Sequence, residues 1–195
     1  MTSNRHLTTI DNFASWADVV QVRTTEDPAA CPICLYPPSC PMSPVCGHAM
    51  CYACALRFAD NCPGGDCPIC HKPLILAEFR PLKYSPKPSY SVGDEVTFKL
   101  VSRRKSGRFV VPAGETPPPR STIPKLSSPW SVNFSSVLSG DPGEILSEVY
   151  MAQEGELRAQ LDGGDEELVP YVLRCLEQVE ERKGGCYAKM ESPYD

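Results

Sequence analysis

Between Cys31 and Cys70 the chain holds nine of its eleven cysteines and one of its three histidines. Eight of these residues fall into pairs: Cys31 with Cys34, Cys46 with His48, Cys51 with Cys54, and Cys67 with Cys70. A C-x-x-C turn sets two thiolates at a separation that one tetrahedral zinc can take, and eight donors make two complete sets. Four protein ligands per ion leave no position for water, so the expected chemistry is structural rather than hydrolytic. Metal is also what this stretch needs. Forty residues with so few large apolar side chains cannot fold on burial alone, whereas a structural zinc supplies on the order of 10 kcal/mol or more. Cys40 and Cys62 begin no such pair and read as small loop residues, although either could replace a ligand; His71, next to the last ligand, reads as a surface residue.

The surrounding composition agrees with a metal site. An odd cysteine count favours ligation over a disulfide framework where thiols stay reduced. The opening MTSNRHLTTIDNFASW lacks the basic-then-apolar profile of a secretion signal, and no run of eighteen apolar residues exists. A cytoplasmic protein with no membrane partner is the expectation. Net charge is -5, unevenly spread: Phe79 to Lys125 carries a local +7, while Asp141 to Lys183 has twelve acids against four bases. A solvated surface accounts for either block; the sharper reading of the basic one is contact with a polyanion such as nucleic acid or a ribonucleoprotein.

Seven cysteines with histidine in fourth place resemble the ligand order of a RING finger (C3HC4). LIM and PHD domains place the histidine later, and FYVE domains carry a basic His-rich patch missing here. The resemblance implies a cross-brace, with Cys31, Cys34, Cys51 and Cys54 on one zinc and Cys46, His48, Cys67 and Cys70 on the other. It also implies a docking groove for a ubiquitin-conjugating enzyme (E2), matched here by Ile33, Phe58 and Pro68. For these three the plain alternative is turn shaping and a small core. Many active RINGs place a cation directly after the last ligand; here that position is His71, followed by Lys72.

The remaining elements must carry this module. DNFASWADVVQV suggests a short helix capped by Asp11, with Phe13, Trp16 and Val20 on one face. After the finger, YSPKPSY reads as a broken linker and SVGDEVTFKLVSRRKSGRFVVPAG as a β-hairpin, Val96, Phe98 and Leu100 forming its apolar face. Its tip bears Arg103, Arg104, Lys105 and Arg108, either solvated or reaching phosphate. DPGEILSEVYMAQEGELRAQL begins with Asp141, Pro142 and Glu144 as a capping box. Its expected stripe is Ile145, Val149, Ala152, Leu157 and Leu161. A second helix follows the Gly163-Gly164 turn, with Val172, Leu176 and Val179 as its stripe, Cys175 as a buried thiol and Gly184-Gly185 as its end. The fold class is thus a small zinc-stabilised α+β protein. Its parts are an N-terminal segment (1–30), a RING finger (31–73), a Pro-rich linker (74–90), a basic hairpin (91–113), a second linker (114–140), an acidic helical hairpin (141–185) and a tail (186–195).

The succession WADVVQVR, CPICLYPP, VGDEVTFKLVSRRKSG and acidic helical pair resembles the RING finger protein ten family of ubiquitin ligases, over roughly residues 12 to 185. The resemblance implies an E3 ubiquitin ligase working through an E2 and ubiquitin, with ribosomal small-subunit proteins as substrates. Two rivals stand beside it. One is a non-catalytic RING adaptor, favoured by His71 in the cationic position. The other is a zinc-dependent nucleic-acid binder, disfavoured because the finger from Cys31 to Cys70 has one Arg and no Lys against two Asp.

Overall fold

A computed structural model describes residues 15–105, 109–119, 123–128, 134–163 and 165–191, with the backbone only at 189 and 191. It divides into two compact units. One joins Ser15–Lys87 to the chain from Ile145 onward; the other is built from Pro88–Glu144.

The first unit centres on a four-stranded sheet of order β1-β4-β2-β3, made of Val22–Thr24 (β1), Pro41–Ser43 (β2), Met50–Cys51 (β3) and Arg80–Tyr84 (β4). β1 runs parallel to β4, with Val22 opposite Leu82; β2 is antiparallel to both β4 and β3, with Met42 opposite Pro81 on one side and Met50 on the other. Helix α1 (Tyr52–Asn61) leaves β3 directly. The stretch expected to be linker therefore contains a central strand. Pro81 hid it, because a residue with no N–H rarely sits between two partners.

The N-terminal expectation also changes. Among the described residues of this stretch Trp16–Asp18 forms a turn of 3-10 helix, capped by the Ser15 hydroxyl, and the chain then extends into β1; Asp11 and Phe13 lie outside the described residues. Val19, Val20 and Val22 favour the pleated conformation. Trp16 is fixed by its polar edge, the indole N–H donating to Glu78 O at 2.6 Å while the Arg80 guanidinium lies 5.8 Å from its ring centre.

The expected capping box is present: Glu144 N–H donates to Asp141 Oδ1 at 2.9 Å and Asp141 N–H to Glu144 Oε2 at 3.1 Å. The chain then runs through α2 (Pro142–Ile145), a π-helical segment (Leu146–Met151) and α3 (Ala152–Asp162). That wider turn shifts the buried face to Leu146, Val149, Gln153 and Leu157, leaving Ile145 half-buried and Ala152 exposed. Helix α4 (Val169–Glu191) tolerates Pro170 in its first turn and passes straight through Gly184 and Gly185. Two glycines cost about 2 kcal/mol of propensity. Cys186, 7% exposed, extends the buried line of Val172, Cys175 and Val179 beyond them, so packing overrides the expected stop.

The two helices are an integral part of the finger. Leu157, Val172, Cys175 and Val179 share one core with Cys31, Met42, Met50, Cys54, Leu56 and Phe79. Tyr52 of α1 hydrogen-bonds Gln178 of α4, and Arg174 pairs with Asp60. Between α3 and α4, the buried Lys183 ammonium sits 2.7 Å from both Glu154 and Glu180.

In the second unit the hairpin is shorter than expected: Val101–Arg103 (β5) pairs antiparallel with Val110–Pro112 (β6), Ser102 opposite Val111. Val110 and Val111 are buried, but Val96, Phe98 and Leu100 precede the strand and are exposed, Phe98 at 91%. The alternation is present in the sequence, yet no partner strand covers that face within the described residues.

Candidate metal centres

Each metal set is assembled from two distant pieces of chain. Cys31 and Cys34 lie in a turn closed by two backbone bonds, Leu35 N–H to Cys31 O and Cys31 N–H to Tyr36 O, both 2.8 Å. The turn needs left-handed backbone after the second cysteine, and Leu35 supplies it at φ 64°. Cys67 and Cys70 repeat this geometry: His71 N–H reaches Cys67 O at 2.9 Å, Cys67 N–H reaches Lys72 O at 2.8 Å, and His71 has φ 56°. Cys51 occupies the N-cap position of α1, with no side-chain cap bond, and Cys54 lies in the first turn, where aligned N–H groups favour thiolate. Cys46 and His48 flank Gly47, whose φ of 85° makes the turn between them.

The topology sorts these pieces alternately. One ligand atom from each of Cys31, Cys34, Cys51 and Cys54 falls within 4.8 Å of the others, and so does one from each of Cys46, His48, Cys67 and Cys70. These are two cross-braced sites of the donor type that zinc takes. The thiols themselves show why a dication suits them. Cys31 is held well below the usual thiol range by hydrogen bonds from Cys51 and Cys54. Sharing that bond with Cys31 raises Cys51 to about 12 and pushes Cys54 further still. Crowded thiols can carry one charge but not four unless a cation neutralises them. Backbone donors help: Ser39 N–H lies 3.3 Å from Cys51 Sγ and Cys51 N–H 3.5 Å from Cys31 Sγ.

The leftover residues are placed elsewhere. Cys40 belongs to neither group; it is buried in the core at φ 44°, its thiol pushed up by burial, with Gln153 Nε2 at 3.7 Å. Cys62 is exposed at the end of α1, and His71 and Lys72 are exposed beyond the second turn.

Of the expected docking residues, Pro68 is exposed, while Ile33 and Phe58 are half-buried, Ile33 packing on the core. Phe58 lies so close over Gly65 that a Cβ there would stand 2.9 Å from its ring. Sequence reasoning passed over Leu35, Tyr36 and Ile69, which are 77%, 73% and 50% exposed on the same two turns. Their signal was available, since each lies within or next to a C-x-x-C pair. Arg103, Arg104 and Lys105 are exposed at the end of β5, with Arg104 Nε donating to Pro117 O at 2.8 Å; Arg108 lies outside the described residues. No helix among the described residues is long and apolar enough to cross a membrane.

No family model matches the chain. It is 28% identical over 127 aligned positions to an uncharacterised RING finger protein of Schizosaccharomyces pombe, a match covering 52% of this chain and 19% of that relative. The chain thus spans about a fifth of the length of this curated relative. That similarity and the two interleaved Cys/His clusters together support a RING finger.

Proposed function

We propose that this chain is a cytoplasmic RING-type E3 ubiquitin ligase of the RING finger protein ten type, holding an E2 and its ubiquitin thioester against substrate lysines. The observation carrying this reading is that two rigid metal turns present uncovered apolar groups, Leu35 and Tyr36 on the first and Pro68 and Ile69 on the second. An apolar surface on a metal-tied scaffold suits a protein partner. Ile33 and Phe58 would back that surface from the first turn and from α1. When bound, the zinc ions supply cross-links that fix the turns in place. The chain's own residues then orient the E2, and rate gain comes from positioning rather than from a covalent intermediate. His71 and Lys72, exposed at the edge of the second turn, would contact E2 and ubiquitin together.

Ribosomal small-subunit proteins are the substrate class this reading implies, with Arg103, Arg104, Lys105 and Arg108 contacting ribosomal RNA. His71 in place of a stronger cation favours a second reading, a RING adaptor without transfer activity. Nucleic-acid binding by the metal module is the third, and the single Arg against two Asp between Cys31 and Cys70 weighs against it. An autoubiquitylation assay across a panel of E2 enzymes decides between the first two. Product is expected with at least one E2 and is expected to fall in Ile33→Ala; no product with any E2 supports the adaptor. Charge reversal at Arg103, Arg104 and Lys105 is expected to reduce ribosome co-sedimentation at low salt, and unchanged sedimentation ends the RNA reading.

A further inference from the structure

On the first unit the chain forms a groove of about 430 Å³, within the range of sites that hold a ligand. Five of its wall residues are prolines, Pro28, Pro37, Pro38, Pro41 and Pro81, joined by Tyr84. Prolines offer flat apolar surface and no backbone donor.

Three side chains of the lining, Asp27, Glu148 and Glu156, can only accept when ionised, and Gln153 adds a buried acceptor. Gln153 is 6% exposed, its Nε2 lies 3.3 Å from Met42 Sδ, and its Oε1 is buried with no hydrogen-bond partner. A buried acceptor left unpaired costs about 1–3 kcal/mol, so the fold carries a penalty there that a donor would relieve. Asp27 and Glu156 line the same groove and form no ion pair among the described residues. Burial pushes the Glu156 carboxyl up, with the Cys40 backbone opposing. The one ammonium in the lining, Lys83, is committed to Glu148 at 2.6 Å. Arg23 also reaches Glu148, its Nη2 at 3.8 Å, so Asp27 and Glu156 are the carboxylates of the lining that no cation among the described residues pairs. Glu148 and Val149 reach the wall from the π-helical segment Leu146–Met151, and such wide turns are frequent at functional sites.

We propose that this groove docks an arginine- or lysine-bearing segment of a partner protein, its alkyl stem on the proline wall and its head on Glu156, Asp27 and Gln153. An ammonium or guanidinium has only donors to offer, which complements the Asp27 and Glu156 carboxylates and the unpaired Gln153 Oε1. The long stems of these side chains bury well against apolar surface while the head stays polar. The site does not depend on the E2 reading: a chain inactive in the transfer assay can still bind such a segment.

The test uses the full zinc-loaded chain and a fluorescein-labelled octapeptide with two adjacent arginines, beside its alanine analogue and free spermidine. Fluorescence polarisation is expected to show binding of the arginine peptide alone, with amide shift changes at 27, 82–84 and 148–156. Loss of one charge-assisted contact in Glu156→Gln or Asp27→Asn is expected to weaken binding on the order of tenfold. Both side chains belong to exposed residues, so zinc content and melting temperature are expected to hold. Gln153→Leu is expected to bind more weakly while melting no lower than wild type, because it removes an unpaired buried acceptor. Glu166→Gln, outside the groove lining, is the control and is expected to bind normally. Unchanged affinity in Glu156→Gln, equal competition by spermidine, or shifts confined to the acid-rich stretch 165–181 would each overturn the proposal.

Discussion

The two metal turns are nearly superposable in their bonding and differ in where they sit. Each closes with the same pair of backbone hydrogen bonds and the same left-handed residue, Leu35 in one and His71 in the other. In the first set Cys31, Cys51 and Cys54 are buried and only Cys34 is half-exposed; in the second only Cys67 is buried. The first three share a core with the two long helices, whereas none of the second set joins it. The lesson is that one local motif can serve two purposes. The first metal set is tied into global stability. The second extends a rigid turn outward, where its apolar residues remain available.

The sharpest way to break this comparison is to remove one ligand from each set. Cys54→Ser is expected to abolish the fold, since loss of a structural zinc removes on the order of 10 kcal/mol, comparable with the stability of a whole domain, and here the loss falls within the shared core. Cys70→Ser is expected to lose one zinc and the turn at 67–72 while α3 and α4 keep their amide exchange protection. Graded chelation of wild type should likewise expose residues 46–48 and 67–70 before 31–34 and 51–54. Equal protection loss in both variants would show that the sites do not differ in this way.

A smaller effect, but more specific, is expected from the helix side. Leu157→Ala leaves a cavity in the shared core and is expected to cost about 2–5 kcal/mol. Zinc release, followed with a chromogenic chelator, should quicken at the first set and hold at the second. Release accelerated equally at both would mean that the helices brace the finger as a whole.

Alkaline titration tests the same core. Burial raises Cys175 from an ordinary value of 9.0 to about 12, with Arg174 and Arg182 opposing, and burial raises Tyr52 from 10.0 to about 12. Both groups bind their proton more tightly folded than unfolded, so their stabilising contribution is complete below pH 9 and is lost as pH rises toward 12. Chemical denaturation across that window should show stability falling, with the fall shallower in Cys175→Ala. A curve identical to wild type would remove Cys175 from the account.

The least effect should come from the turns themselves. Left-handed backbone is strained for any residue but glycine. Leu35→Gly and His71→Gly are each expected to raise the unfolding free energy, measured by chemical denaturation, by no more than about 1 kcal/mol. A similar response in both would support equivalent backbone geometry, and the His71 variant separately reports, in the transfer assay, whether that side chain contributes.

The paired spacing of eight donors was legible along the chain because metal ligation is local: a C-x-x-C turn is complete within six residues and needs no distant partner to form. The capping box before α2 was legible for the same reason, as was the burial of Cys175 from its place in an apolar stripe. What the sequence could not decide were matters of competition between distant segments. Pro81 in a central strand, Gly184 and Gly185 inside a helix, and a π turn that rotates Gln153 rather than Ala152 inward all run against local preference. Each occurs where packing on the finger outweighs a local preference of about 1–3 kcal/mol. The alternating Val96, Phe98 and Leu100 show the converse, a strand pattern without a covering partner among the described residues. Residue types and spacing thus determined that two metal ions would be held and by which atoms. Only the tertiary structure decided that two helices, more than ninety residues downstream of the first metal turn, would complete the core around one of them.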